Sequence, residues 1–248
     1  MAGLGVLVGP GVVRDGCVDG VRAFAARVGC GVVNTWGAKG VFRWDDPLHF
    51  GTAGLQALDF ELAGLGDVDV LVTSGLDPNE VTSQPWLGRA AVIDVAPADL
   101  ATVELDLPPG TIERPRLYTD LAAVVGPMYE QAGSAAGRAA ALAAALPKDG
   151  VVVAEPGLVG FWIARTFPTA VPGSVVVPAS GGAPAAHHAA KELAATGHEV
   201  VLVAAAPPPI DLHGDLHGIR VEVWRADAVD LDPSPLVAIA GAIVAWAS

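Results

Sequence analysis

Short apolar runs alternate with segments of helical periodicity along most of the chain. In the first half, the apolar runs predict buried strands at 4–8, 31–34, 68–73 and 91–95. Apolar residues spaced by three or four positions predict helices over 18–28, 54–65 and 117–129. Strands that alternate with helices through short links form parallel sheets covered on both faces. This pattern predicts an α/β fold.

The second half repeats the alternation. Predicted strands occupy 151–154, 174–178, 200–204 and 221–225, and predicted helices occupy 158–167, 185–196 and 235–246. Between the halves, residues 131–148 are rich in alanine, which predicts a linker helix. We therefore expect two Rossmann-like, three-layer domains with mainly parallel sheets covered by helices on both faces. The first spans 1–132, the linker helix spans 133–149 and the second domain spans 150–248; one continuous domain is the alternative.

The composition excludes several classes of partner. The 248 residues carry 14 basic and 27 acidic side chains, and the net charge of −13 opposes binding to nucleic acid or to anionic membranes. Mean hydropathy is high at +0.48, but the uncharged apolar runs are shorter than the ~20 residues that a membrane span needs. Two cysteines and a start without basic residues favour a reduced, cytoplasmic protein.

Several stretches of the sequence resemble those of a known enzyme family. The first half contains, in order, VLVGPGVVRDGCVDGVRAFAARVGCGVVNTWGAKGVF, DDPLHFGTAGLQ, DVDVLVTSGLDPNE and AAVIDVAPADLA. These stretches span about residues 4–130 and resemble the central domain of thiamine-diphosphate enzymes of the acetolactate synthase and benzoylformate decarboxylase type. The second half contains DGVVVAEPGLVGFWIARTFPTAVPGSVVVPASGGAPAAHHAAKELA, then VVLV and GIRVEVWRAD, and resembles the start of the family's pyrophosphate-binding domain.

The resemblance implies descent from these enzymes but not their cofactor. In the family, an Asp after the strand matching 200–203 and an Asn further along hold Mg²⁺, which binds the diphosphate through oxygen ligands. This chain has three alanines at 204–206 and Ala226-Asp227 further along, so we expect neither Mg²⁺ nor thiamine diphosphate. The family's pyrimidine-binding domain, which supplies the activating glutamate, has no match in this sequence, and we expect it to be absent.

A second cofactor site is implied by the first half. Gly9-Pro10-Gly11 follows a predicted strand and precedes a helix, where backbone N–H groups can approach a phosphate. In the acetolactate synthase branch this domain binds FAD, and in an oxalyl-CoA decarboxylase branch it binds an adenine nucleotide. The positions matching that crevice are Gly9, Gly11, Gly51, Thr52, Ser74, Gly75, Asp77, Asp94 and Val95. The FAD pattern departs at Leu76 and Ala53, and a tight turn without a ligand is the alternative.

A few polar side chains of the second half carry weaker hypotheses. Glu155 follows a predicted strand where the family has an acidic residue near the cofactor, or it caps the next helix. The adjacent His187 and His188 predict a surface pair. The segment DLHGDLHG over 211–218 offers Asp and His as metal ligands, although its glycines favour a solvated loop.

Three functions remain open, and no catalytic residue is assigned. The first is a binding or assembly module that is non-catalytic alone and forms a homo-oligomer. The second is one subunit of a split thiamine-diphosphate lyase or transferase, with a separate pyrimidine-domain subunit. The third is an enzyme that binds FAD, ADP or a CoA-type nucleotide in the central-domain crevice.

Overall fold

A computed structural model describes residues 3–208, 216 and 218–246, which form one five-stranded and one four-stranded sheet. The strands are β1 Leu4–Val8, β2 Val32–Thr35, β3 His49–Ala53, β4 Val70–Ser74, β5 Ala91–Asp94, β6 Gly150–Ala154, β7 Val175–Val176, β8 Glu199–Ala204 and β9 Arg220–Val223. The α-helices are α1 Gly11–Arg14, α2 Val18–Val28, α3 Asp59–Leu62, α4 Arg116–Tyr129, α5 Ala135–Ala145, α6 Leu158–Thr166, α7 Gly182–Ala195 and α8 Ser234–Ala240. No helix among the described residues is long and apolar enough to cross a bilayer.

The first sheet is wholly parallel, in the order β3-β2-β1-β4-β5. Strand β1 lies at its centre, and all five of its residues are buried. Because the order reverses between β1 and β4, the loops after these two strands diverge and leave a crevice at their carboxyl ends. The turn at Gly9 and Gly11 lies at this crevice.

The second sheet is also parallel, in the order β7-β6-β8-β9. Apart from the exposed Glu199 that begins β8, strands β6 and β8 are continuous apolar runs that are buried on both faces, as expected for the centre of a parallel sheet. Helix α7 packs on both of them. The two sheets and their helices confirm the predicted α/β fold.

One strand was not predicted, and two predicted helices differ in the structure. Strand β3 was not predicted, because HFGTA is fully buried yet lacks the apolar run that marks a buried strand. The helix predicted over 54–65 is wrong except for α3, because Gly54 has a φ of +90° and the amides that follow bind the Asp59 carboxylate. The helix predicted over 235–246 ends at Ala240, since Gly241 has a φ of +77°.

The two halves share one hydrophobic core. Leu7 of the first sheet and Val152 of the second belong to the same buried cluster. The chain after α8 returns to the first half, where the Gln56 side-chain amide donates to the carbonyls of Leu236 and Gly241 at 3.0 and 2.7 Å. The boundaries expected at 132 and 150 fall on either side of α5 and stay a prediction.

Candidate functional site

The first crevice lies where β1 and β4 end. The Gly9 amide donates to the Ser74 carbonyl at 2.9 Å, and the Gly11 amide donates to the Gly75 carbonyl at 2.8 Å. A Cβ atom at Gly9 would lie 2.5 Å from that Gly75 oxygen, so the two turns meet backbone to backbone. The glycines are needed for this close approach, and both amides already have a carbonyl partner. A phosphate would have to displace these bonds.

Three further predicted residues lie beside this crevice, on the end of β5 and on the loops after β4 and β5. The Asp77 carboxylate accepts the Asn79 amide at 2.8 Å and so orders the turn after β4. The Asp94 carboxylate, at the end of β5, accepts the Thr73 hydroxyl at 2.7 Å. Val95 is buried. These residues share the edge of the sheet with Gly9 and Gly11.

Gly51 and Thr52 lie apart from that group. Both are on β3, which the order β3-β2-β1-β4-β5 places three strands from β4. Three strand spacings are about 14 Å, so only an extended ligand of dinucleotide length reaches both ends of the predicted set. On β3 these two residues instead line a pocket shared with α4 and α6. The nucleotide site thus stays a prediction whose nine residues form two separate groups.

The carboxyl edge of the second sheet holds a buried acid–imidazole pair. Glu155, which follows β6, lies 2.9 Å from His187 Nε2 through one oxygen and accepts the Ala205 amide at 2.9 Å through the other. His187 is buried, so the predicted surface position is wrong for this residue; its neighbour His188 is exposed, with a side chain 72% accessible. Glu155 makes no side-chain cap on α6, and it instead ties β6 to α7 and to the end of β8.

This edge does not fit a magnesium diphosphate. The three alanines at 204–206 supply only methyl groups, at the place where the resemblance of the second half implies a metal-binding carboxylate. The carboxylate that is present, Glu155, would repel a diphosphate and is already bonded on both oxygens. Asp227 pairs with Arg225 at the surface, 3.0 Å away. The described residues contain no cluster of three metal-ligating side chains. All the acids and histidines of DLHGDLHG, Asp211, His213, Asp215 and His217, lie outside the described residues.

Sequence reasoning missed the buried charges between the halves. Arg165 is the one charged residue of α6, and it forms a buried ion pair with Asp59, Nη2 to Oδ2 at 2.7 Å. Lys39, one of three lysines in the chain, is buried in the loop after β2. A charged residue inside an otherwise apolar segment was the signal available in both cases.

Comparisons with known proteins agree with this architecture. The family of the thiamine pyrophosphate enzyme, central domain, matches residues 5–129, half of the 248 residues. A solved structure from Mycobacterium smegmatis, described as a candidate thiamin diphosphate-dependent enzyme, has the same fold with a TM-score of 0.54 and 16% identity. The alignment covers 82% of this chain and 44% of that one. No curated protein sequence matches the chain. By the match of its first half to this central domain, the chain belongs to the thiamine pyrophosphate enzyme family.

Proposed function

We propose that this chain is a binding or assembly module of the thiamine pyrophosphate enzyme family and that its own residues do not hold thiamine diphosphate. The observation that carries the proposal is the set of contacts made by Glu155. Its carboxylate accepts the Ala205 amide at 2.9 Å and lies 2.9 Å from His187 Nε2, at the sheet edge where the resemblance of the second half implies the family's diphosphate site.

Charge and chemistry both oppose the cofactor at this edge. Diphosphate binding in proteins depends on a metal ion held by hard oxygen ligands or on clustered cations. The edge offers alanine methyl groups, one buried carboxylate and the His187 ring that is bonded to it. In a split enzyme, a separate pyrimidine-domain subunit would therefore have to supply the metal ligands as well as the activating acid.

The test is a calorimetric titration of the purified chain with thiamine diphosphate in the presence of excess Mg²⁺. We expect no saturable binding up to about 1 mM, a Kd that corresponds to roughly −4 kcal/mol. Saturable binding that disappears when Mg²⁺ is chelated would overturn the proposal.

Glu155→Gln is the matched control variant. It removes the charge and keeps an oxygen that accepts the Ala205 amide, so the fold is retained. If the variant also fails to bind, the absence of metal ligands is sufficient to exclude the cofactor. If the variant binds and the wild type does not, the carboxylate charge is the excluding element.

The assembly part of the proposal concerns strand β5. It is an edge of the first sheet, and Ala91 and Val92 are exposed there, with Val92 47% accessible. An exposed apolar edge strand with unpaired backbone groups is a template for pairing with another chain. Sedimentation equilibrium should give a mass above the 25.0 kDa of one chain. Val92→Lys should lower that mass, whereas a monomeric wild type would contradict homo-oligomer formation.

A further inference from the structure

A pocket of about 160 Å³ lies between β3, the helix α4 and the end of α6. It joins the two halves: the Tyr129 hydroxyl on α4 donates to the Thr166 carbonyl on α6 at 2.6 Å. The neighbouring loop is equally fixed, because a Cβ atom at Gly40 would lie 2.6 Å from the Val171 carbonyl oxygen. The pocket is therefore built by packed elements of both halves.

Most of the wall is apolar. Leu117, Leu121 and Val125 project from α4, and Phe167 closes the side formed by α6. An apolar cavity of about 150 Å³ is large enough to hold benzene. The volume and lining therefore suit a ligand body of about one aromatic ring.

The polar groups of the pocket include a buried lysine and two unpaired nitrogen atoms. The Lys39 side chain lines it and is only 5% exposed, and no described residue provides its ammonium with a hydrogen bond or an acidic partner. Two further atoms of lining residues, His49 Nδ1 and Arg165 Nε, are buried without a hydrogen-bond partner in the described part of the chain. Buried polar groups in native proteins nearly always have a partner, so an unpaired set suggests an absent one.

The charge balance identifies the sign of that partner. Arg165 is neutralised by Asp59, whose two carboxylate oxygens lie 2.8 and 2.7 Å from Nη2. Lys39 has no such anion, and an isolated buried cation is strongly unfavourable. We propose that this pocket binds a small organic monocarboxylate, with its carboxylate on the Lys39 ammonium and its apolar body against α4. This pocket is separate from the edge of the second sheet, so a test of carboxylate binding does not depend on whether the chain binds thiamine diphosphate.

Protonation of Lys39 makes the proposal testable through pH. Burial, and then the charge of Arg165, lower the pKa of Lys39 to about 7. Below pH 7 the free protein presents an ammonium, and above it a neutral amine. Affinity for a carboxylate should then be constant below pH 7 and fall up to about tenfold per pH unit above it, because binding takes up one proton.

One other group beside the Lys39 loop has a pKa in that range: burial raises the pKa of Glu80, which accepts the Gly37 amide at 3.0 Å, to about 7. Its ionisation would also oppose a carboxylate, so the pH profile is measured on Glu80→Gln as well, and the fall should persist there if Lys39 is responsible. The other titratable and charged side chains around the pocket are Arg165, Asp59, His49, Arg114, Tyr118 and Tyr129. Burial, with the charges of Lys39 and Arg114, lowers the pKa of His49 to about 3. Burial raises the pKa of Tyr129 to about 12. Asp59 is paired with Arg165, Nη2 to Oδ2 at 2.7 Å.

The experiment is a calorimetric titration with benzoate at pH 6, with benzamide as the uncharged probe of the same shape. Three proteins are compared: the wild type, Lys39→Met and Lys148→Met, the last changing an exposed lysine. We expect benzoate to bind the wild type and Lys148→Met equally and Lys39→Met about tenfold or more weakly, as for the loss of a charge-assisted hydrogen bond. Benzamide should bind all three proteins weakly and alike.

Several results would overturn the inference. These are an absence of benzoate binding to the wild type, equal benzoate affinity of Lys39→Met, or benzamide binding as tightly as benzoate. Lys39→Met should fold, since it replaces an unpaired buried cation by an apolar side chain of similar length. Should it fail to fold, the pH profiles of the wild type and of Glu80→Gln decide: a benzoate affinity that is constant from pH 6 to pH 9 in either protein refutes the role of Lys39.

Discussion

Replacing Arg165 by methionine removes the counterion of a buried carboxylate. The side chains of Arg165 and Asp59 are 2% and 0% exposed. Arg165 Nη2 binds both carboxylate oxygens, and Nη1 donates to the Thr52 carbonyl at 2.7 Å. Since Thr52 and Asp59 belong to the first half and Arg165 to the second, these bonds join the two halves. We expect Arg165→Met to destabilise the whole protein.

The size of the effect follows from what remains around Asp59. Breaking a buried ion pair by removing one partner costs about 3–5 kcal/mol. Asp59 keeps the amides of Leu55 and Gln56 at 2.8 and 2.9 Å, which places the loss at the lower end, about 3 kcal/mol. For a chain of this length, each 1 kcal/mol changes the Tm by roughly 2–4 °C. The expected decrease in Tm is therefore about 6–12 °C.

The assay is thermal unfolding followed by circular dichroism at pH 7. Arg116→Met is the matched control, because Arg116 pairs with Asp120 on the surface at 3.0 Å with its side chain 74% exposed. An exposed pair contributes at most about 1 kcal/mol, so this variant should remain close to the wild type. The double variant Asp59→Asn, Arg165→Met removes both buried charges and should recover part of the lost stability.

The stability lost in Arg165→Met should depend on pH. Burial raises the pKa of Asp59, and the charge of Arg165 opposes that rise. Without Arg165 the folded protein holds the Asp59 proton more tightly than the unfolded chain, so stability falls as the pH rises through the folded pKa. Arg165→Met should be closest to the wild type near pH 4 and furthest from it at pH 7. A Tm within the range of Arg116→Met, or a gap that does not change with pH, would refute this account of the pair.

Two further predictions concern the first half: the close backbone contact at Gly9 and the buried acid Glu80. Gly9→Ala should lower the free energy of unfolding, measured by urea denaturation, by about 1–3 kcal/mol, since its Cβ would lie 2.5 Å from the Gly75 oxygen. The control is Gly20→Ala, whose Cβ meets nothing closer than 3.4 Å and which should be neutral or stabilising. Equal effects of the two substitutions would contradict the close approach at Gly9. Glu80 is buried, and burial raises its pKa from 4.5 to about 7. The free energy of unfolding of the wild type, measured by urea denaturation, should fall by roughly 3 kcal/mol as the pH rises from 4.5 to 7. Glu80→Gln keeps an acceptor for the Gly37 amide and should abolish this fall. If the variant loses as much stability with pH as the wild type, Glu80 is not responsible.

Much of the fold is legible in the sequence because parallel strands at the centre of a sheet must be apolar on both faces. The sequences of β1, β6 and β8, which are LGVLV, GVVVA and EVVLVA, meet this requirement, and these strands were predicted to within one residue. Strand β3 carries His49, Gly51 and Thr52 and is buried all the same, because its neighbours, not its own residues, cover it. A period of hydrophobicity cannot reveal such a strand.

The order of the stretches quoted above was also sufficient to identify the family, because the family match depends on the local sequence along 5–129. The sites were not. The adjacency of His187 and His188 indicated a surface pair, yet the packing of α7 on β6 and β8 turns His187 onto Glu155. Which of two neighbouring helix residues is buried depends on where the helix lies, and that is set by the sheet beneath it.

The sequence by itself therefore determined the α/β class, the central strands and the family, since each depends on residues close together in the chain. Only the tertiary structure brought Lys39, Asp59 and Arg165 to one boundary between the halves. The physical reason is that a buried charge is decided by its surroundings: Arg165 is stable in α6 because Asp59 meets it there, and Lys39 is exceptional because no described residue does the same for it.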